Sequence, residues 1–263
     1  MTGRICGVVP AAGRGSRLGG NAPKVFISIL PSITIWEIIR SQVSQVTDRI
    51  VLVLSPEGRD FLAANDDPIQ RPNFSKTTIA IQERALGMGD AIFGAAQAWR
   101  DYDSILVVWG DQFNLSLETL QACVKLHARL QGPALTLPVA RMAEPYVEYV
   151  FDSSGRLNAV KQSREGDACS PGGFSDVGVF LLSGGEALID EWLRYETNRA
   201  AGAVTGEINF LPFLVHLSSV AKWPVARYET KDPSEAIGIN TPEDLAFART
   251  VLQKQIGEHG ELS

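Results

Sequence analysis

Cysteine and histidine are scarce in this sequence, with three of each in 263 residues. Cys6, Cys123 and Cys169 lie far apart without C-x-x-C spacing, and His127, His216 and His259 are isolated. That excludes a disulfide framework and a histidine–cysteine zinc site. No serine, cysteine and histidine gather into a triad pattern. Cys6 falls inside a strand pattern and reads as a small core residue. Cys169, beside Pro171, Gly172 and Gly173, has no neighbouring histidine to activate its thiol. No apolar run approaches the ~20 residues of a membrane span, and the first residues lack the charged lead and cleavable apolar segment of a secretory signal. A cytoplasmic location without a membrane partner is expected. Basic residues are outnumbered, 24 Lys and Arg against 30 Asp and Glu for a net charge of −6, which argues against a nucleic-acid partner gripped through phosphates. Small substrates are expected instead.

A proline- or serine-rich linker is also missing, so one domain is expected over 1–256, followed by a short tail at 257–263. Short apolar runs alternate with amphipathic stretches, the pattern of βα units around a mainly parallel mixed sheet flanked by helices. Strands are predicted at Arg4–Val9, Ile50–Leu54, Thr77–Ile81, Ser104–Trp109 and Ala134–Val139. Helices are predicted at Ile33–Val46, from about Gly87 through Trp99, and at Leu115–Leu130. Tyr146–Phe151 and Leu157–Gln162 flank a turn of Ser153, Ser154 and Gly155 and predict a hairpin. With the charged, glycine-rich stretch Ser163–Gly173, expected to be a mobile loop, this hairpin makes the segment 145–173 an inserted lid over a second substrate. Phe174–Leu182 predicts a return to the sheet. Helices at Gly185–Arg199 and Glu207–Leu217 and a strand at Trp223–Glu229 complete it. Thr241 is placed to cap a helix that starts at Pro242 and runs to about Ile256.

The chemistry concentrates in P-A-A-G-R-G-S-R-L-G-G-N-A-P-K, Pro10 to Lys24, directly after the first strand. It matches neither the dinucleotide G-x-G-x-x-G nor the Walker G-K-S/T pattern. Gly13 and Gly15 let backbone N–H groups approach phosphate oxygens, and Arg14, Arg17 and Lys24 supply neutralising charge. An ordinary surface turn with solvated cations is the competing reading. Three cations spaced through one glycine-rich loop after a buried strand favour a triphosphate.

The pattern A-A-G-x-G-[ST]-R-[LM] followed by P-K resembles the signature of the sugar-1-phosphate nucleotidyltransferases, within the MobA-like NTP transferases, and above all the N-acetylglucosamine-1-phosphate uridylyltransferase domain. Gln82 with L-G-M-G at Leu86–Gly89, W-G-D at Trp109–Asp111, D-V-G-V at Asp176–Val179, G-E-I-N-F-L-P at Gly206–Pro212 and G-I-N-T at Gly238–Thr241 follow in the family's order. The resemblance implies a Rossmann-like nucleotidyltransferase (GT-A type) fold, with nucleotide at the carboxyl ends of parallel strands. It implies Arg17, Lys24 and Asp111 as catalytic residues. Ala11, Ala12, Gly13, Arg14, Gly15, Gln82, Gly87, Met88 and Gly110 would hold the nucleotide. Mg²⁺ would sit on Asp111 and Asn240, hard oxygen ligands suited to that ion. Local roles compete for each: a cap or loop carboxylate for Asp111, a turn residue for Asn240, a core residue for Met88.

On the acceptor side the family's T-G-Y-G-R gives way to Pro145, Tyr146, Val147, Glu148 and Tyr149, and Asp176 replaces an asparagine. Asp176 there would face a sugar hydroxyl or amide. Lys161 is expected either on the acceptor phosphate or solvated on the hairpin. Glu207 is expected either at the acceptor pocket or as a first-turn acid of its helix. The implied partners are a nucleoside triphosphate, UTP or CTP, and a phosphorylated small acceptor, a sugar 1-phosphate first and a phosphocholine-like or phosphonate compound second. No hexapeptide repeats follow the Pro242 helix, so no acetyltransferase activity is expected. A regulatory protein that binds nucleotide without turnover is a competing class. A nicotinamide oxidoreductase would want an acid at the end of the second strand; Glu57 is the only candidate there, and Lys24 and Asp111 would be left without a purpose.

Overall fold

The computed structural model describes residues 3–13, 18, 22–31, 33–64, 76–198 and 208–259. Strands β1 (Ile5–Pro10), β2 (Ser28–Leu30), β3 (Ile33–Thr34), β4 (Arg49–Leu54), β5 (Thr77–Ile81), β6 (Ser104–Val108), β7 (Leu135–Arg141), β8 (Val147–Phe151), β9 (Leu157–Gln162), β10 (Phe174–Asp176), β11 (Val179–Ser183) and β12 (Val225–Glu229) alternate with helices. These are α1 (Ile35–Val43), α2 (Pro56–Ala64), α3 (Met88–Gly94), α4 (Ala96–Trp99), α5 (Leu117–His127), α6 (Gly185–Asn198), α7 (Leu211–Ser219) and α8 (Pro242–His259). All but β2 and β3 join one mixed sheet in the order β5-β4-β1-β6-β11-β7-β10-β8-β9, with β12 on β7. Pairing is parallel from β5 through β6 and between β12 and β7, and antiparallel elsewhere.

Apolar runs on the parallel strands are continuous because helices cover both faces. Ile5 and Val9, with Ile50, Leu52 and Leu106, enter one core beside α1, α5 and α8. Their alternates Cys6, Val8, Val51, Val53 and Val107 enter a second core beside α3, α6 and α7. The period-two orientation of a strand divides them.

Several boundaries move for local reasons. The helix expected from Ile33 starts at Ile35, because Thr34 Oγ1 accepts from Glu37 N at 3.2 Å and the Glu37 carboxylate accepts from Thr34 N at 2.9 Å. That reciprocal capping box marks the first turn. The stretch Phe174–Leu182 divides into β10 and β11 at Gly178 (φ 75°), a left-handed position that glycine adopts without steric cost. The helix expected from Glu207 starts at Leu211, where Pro212 suits the first turn.

The hairpin β8–β9 is an extension of the main sheet, since β8 pairs β10 and β10 pairs β7. Residues 163–173, expected to be mobile, are tied back to it. Glu148 Oε2 accepts from Ser170 N at 2.7 Å, and Asp167 Oδ2 accepts from Gln162 N at 2.9 Å. No helix among the described residues is long and apolar enough to cross a membrane.

Candidate active site

β1 and β6 run side by side in parallel and release their chains at the same sheet edge. After β1 comes Ala11–Gly13, held to the sheet by Ala11 N donating to Val53 O at 2.8 Å. After β6 comes Trp109–Asp111. A cleft of about 560 Å³ opens between these two turns, within the range of small-molecule sites. It lies at the carboxyl ends of the parallel strands, the usual ligand position of an open α/β sheet.

Lys24 opens a one-turn helix, Lys24–Phe26, whose Val25 and Phe26 are buried anchors. From there its ammonium donates to Asp111 Oδ2 at 2.7 Å and to Asn240 Oδ1 at 2.8 Å. Asn240 reaches this point because Ile239 N donates to Asp111 O at 3.0 Å, strapping the 238–240 segment along the Asp111 turn. Behind it Thr241 caps α8, accepting from Asp244 N at 3.2 Å. One carboxylate and one amide oxygen thus converge on a single cation, bringing together the two residues expected to be metal ligands. The donor set suits Mg²⁺, which takes one or two protein oxygens and completes its shell with water and phosphate. No group of three acidic, histidine or cysteine residues among the described residues offers a closed protein cage.

Gln82 follows β5 on the opposite wall. Its Nε2 donates to Gly87 O at 2.9 Å and to Asp90 Oδ2 at 2.8 Å. Both partners are acceptors, so the amide orientation is forced, and among the described residues no group donates to its carbonyl oxygen. Met88 lines the cleft and also packs against the second core. Its two expected roles coexist.

Asp176 lines the far end of the cleft. Its oxygens accept from Tyr149 OH at 3.0 Å, Gly178 N at 2.7 Å and Trp109 Nε1 at 3.2 Å. Burial pushes its pKa up to about 6 despite these donors. Burial, then the Asp176 charge, holds the Tyr149 phenol well above its usual range. Asp176 therefore spends most of its accepting capacity on the protein, fixing the Trp109 side chain next to Gly110 and Asp111.

Ala11, Ala12, Gly13, Lys24, Gln82, Gly87, Met88, Gly110, Asp111, Asp176 and Asn240 all line this one cleft. Arg14, Gly15, Arg17 and Glu207 lie outside the described residues. Lys161 is not among the lining residues; its ammonium donates to Glu148 Oε2 at 3.0 Å and Ser170 Oγ at 3.3 Å. The cleft is lined instead by its neighbour Gln162, and by Tyr146 and Arg164, which sequence reasoning missed. Neighbouring strand residues face opposite ways. The pairing Val147–Gln162 and Glu148–Lys161 sorts these residues onto two faces, but only the sheet's placement says which face meets the cleft.

A cleft at the end of parallel strands, with cation, carboxylate and amide gathered beside the Ala11–Gly13 turn, is the form of a nucleotidyltransferase domain. The chain belongs to the MobA-like NTP transferase domain family, whose model matches residues 7–170. It is 25% identical over 259 residues to the bifunctional protein GlmU of Lactobacillus gasseri, covering 95% of this chain and 52% of that protein. It is 28% identical over 267 residues to the bifunctional protein GlmU of a Chelativorans species, covering 97% of this chain and 54% of that one. The chain thus spans about half the length of these curated relatives. Among solved structures, HddC of Yersinia pseudotuberculosis complexed with GMP-PN superposes with a TM-score of 0.62 at 20% identity, covering 94% of this chain and 99% of that one. A Bacillus anthracis protein named as a glucose-1-phosphate thymidylyltransferase superposes with a TM-score of 0.71 at 13% identity, covering 94% of each chain. These two likenesses show the fold.

Proposed function

We propose that this protein transfers UMP or CMP from the nucleoside triphosphate to a phosphorylated small acceptor, a sugar 1-phosphate before other phosphates or phosphonates, with release of pyrophosphate. The observation that carries this reading is the convergence of Asp111 Oδ2 and Asn240 Oδ1 on the Lys24 ammonium at the mouth of the β1 turn. In the reaction an acceptor phosphate oxygen attacks the α-phosphorus in line, forming one P–O bond as the bond to pyrophosphate breaks. No enzyme nucleophile is required, which suits a cleft whose described lining contains neither histidine nor cysteine. Catalysis of this kind is positioning and charge neutralisation.

Asp111 and Asn240 would hold Mg²⁺, which neutralises phosphate charge when bound. Lys24, relieved of its two oxygen partners, swings its ammonium to the α-phosphate as negative charge grows there. Arg17 takes the leaving pyrophosphate, and the Ala11–Gly13 backbone cradles the triphosphate together with Arg14 and Gly15. Gln82 offers a carbonyl oxygen to the base. Uracil N3–H and the cytosine amino group both answer it, so it supports a pyrimidine without separating UTP from CTP. Asp176 and Glu207 stay assigned to the acceptor end. Lys161 keeps a role there only through the loop that it and Glu148 anchor.

The test is pyrophosphate release with UTP, CTP, dTTP, ATP and GTP against sugar 1-phosphates, phosphocholine and small phosphonates, beside Asp111→Ala. Acceptor-dependent release that Asp111→Ala abolishes is the expected result. Nucleotide binding without release for any acceptor would support a regulatory protein instead, and release that survives Asp111→Ala would overturn the mechanism.

A further inference from the structure

At the acceptor end two side-chain amides are connected in series, and the connection begins at a backbone group that cannot be reversed. Leu211 N, the first helical amide of α7, donates to Asn209 Oδ1 at 3.2 Å. A backbone N–H only donates, so the Asn209 oxygen must face it and its Nδ2 must face away. Nδ2 donates to Gln162 Oε1 at 2.8 Å. Gln162 must therefore present its carbonyl to Asn209, which leaves its NH₂ on the other side. Gln162 is only 5% exposed, lines the cleft, and its Nε2 has no hydrogen-bond partner within the described residues. Reversing either amide would set two donors or two acceptors against each other.

We propose that this relay, from the start of α7 through Asn209 to Gln162, selects the acceptor by presenting a hydrogen-bond donor that cannot rotate into an acceptor. The group it meets is an oxygen acceptor, such as a hydroxyl or ring oxygen of a sugar, and not the ammonium of an amino-alcohol phosphate or an amino sugar. Asp176 faces the same cleft, but three protein donors already occupy most of its accepting positions, so an ammonium there would have to displace one of them. Tyr146, 57% exposed, lines the cleft mouth, where its ring can cover a sugar face. The selectivity rests on the nucleotidyltransferase reading for what the acceptor is; the direction of the relay does not.

Two variants test it. Asn209→Asp replaces the donor facing Gln162 by a carboxylate oxygen, which forces the Gln162 amide to turn and show its carbonyl to the cleft while Leu211 N keeps an acceptor. Gln162→Glu puts an acceptor there directly. With the full chain and UTP or CTP, whichever the wild type uses, pyrophosphate release is measured against glucose 1-phosphate, mannose 1-phosphate, glucosamine 1-phosphate and phosphocholine. The wild type is expected to prefer the neutral sugars. Both variants are expected to raise the KM for these by ~10-fold, the scale of one mismatched buried hydrogen bond. Their kcat should stay within about threefold, nucleotide affinity should be unchanged, and preference should shift toward glucosamine 1-phosphate. A wild type that prefers phosphocholine, or variants that lower kcat with no change of preference, would overturn the relay as the selector.

A second readout needs no turnover. In ¹⁵N spectra of the free protein, the Gln162 NH₂ pair, assigned by its loss in Gln162→Glu, should exchange with water readily and the Asn209 pair slowly. The reverse would overturn the orientation. If no acceptor made the wild type release pyrophosphate, the enzymatic reading would fail, and the exchange rates would still decide the relay.

Discussion

The Lys24 ammonium lies 2.7 Å from Asp111 Oδ2, with the two side chains 18% and 22% exposed. A part-buried ion pair at the rim of a cleft contributes little beyond the ~1 kcal/mol of an exposed pair once water reaches both groups, and Asn240 and solvent remain beside Asp111 when Lys24 is removed. The proposed role of Lys24 at the α-phosphate separates its effect on turnover from its effect on folding. Lys24→Met is expected to keep the melting temperature within a few degrees of wild type and to lower acceptor-dependent pyrophosphate release by roughly 100-fold or more. Thermal denaturation and a steady-state assay on the same preparation check both halves. A variant that melts much earlier would make the pair structural.

Gly89 sits in the first turn of α3, where an added Cβ would clash with Trp192 Cη2 at the indole edge and lie 2.9 Å from Ile208 Cγ2. Its N–H also donates to Ile208 O at 3.1 Å. Gly89→Ala must push α3 away from α6 or break that link, at a cost of about 1–3 kcal/mol. Because Gly87 and Met88 move with it, nucleotide affinity should fall as well. Urea denaturation and titration with UTP and CTP measure the two losses, and unchanged values for both would refute the packing account.

His127 is held on α5 by Thr136 Oγ1, 3.0 Å from Nδ1, and burial lowers its pKa to about 4. In the unfolded chain it titrates near 6.5. Above that pH both states are neutral and nothing is lost. As pH falls from 6.5 toward 4 the unfolded state takes up the proton first, and stability declines by up to ~3 kcal/mol. His127→Gln removes this component, so its stability relative to wild type should rise between pH 7.5 and pH 4.5. Parallel urea curves at the two pH values provide the comparison; a constant difference would contradict the assignment.

Glu148 is buried under the 163–173 loop and accepts from both Ser170 N and Lys161 Nζ. Glu148→Ala leaves the Ser170 N–H and the Lys161 ammonium without their shared acceptor, costing about 1–1.5 kcal/mol, and it loosens the loop beside Gln162 and Arg164. Limited proteolysis should cut within 163–173 roughly 10-fold faster, the scale set by the lost anchoring energy. Lys161→Met, which keeps the Ser170 link, should have the smaller effect. Equal cleavage of all three proteins would show that the loop is held by something else.

Much of the fold was legible because local physics decides it. Apolar runs such as Ile50–Leu54 and Ser104–Val108 are short, β-branched and bounded by turns, as strands buried on both faces are, and Thr241 with Pro242 announces a helix start. Less legible were the break at Gly178, which needs a left-handed turn beside Trp109, and the α7 start, which Asn209 and Pro212 set together. The Phe174–Leu182 stretch is apolar enough to read as one strand, and only the close approach of Gln112 and Trp109 to Gly178 shows why it bends.

By itself the sequence determined the glycine-rich loop, the strands that follow one another along the chain, and the residue types able to meet phosphate. Those depend on contacts between near neighbours and on burial. Tertiary structure decided which distant groups share a point in space: Asn240 meets Lys24 across 216 positions of chain. It also decided which of two adjacent residues faces the cleft, Gln162 over Lys161, because a strand supplies alternation but not its absolute direction. The orientation of the Gln162 amide is tertiary as well, since it descends from the backbone N–H of Leu211 through Asn209, 47 positions from the residue it sets.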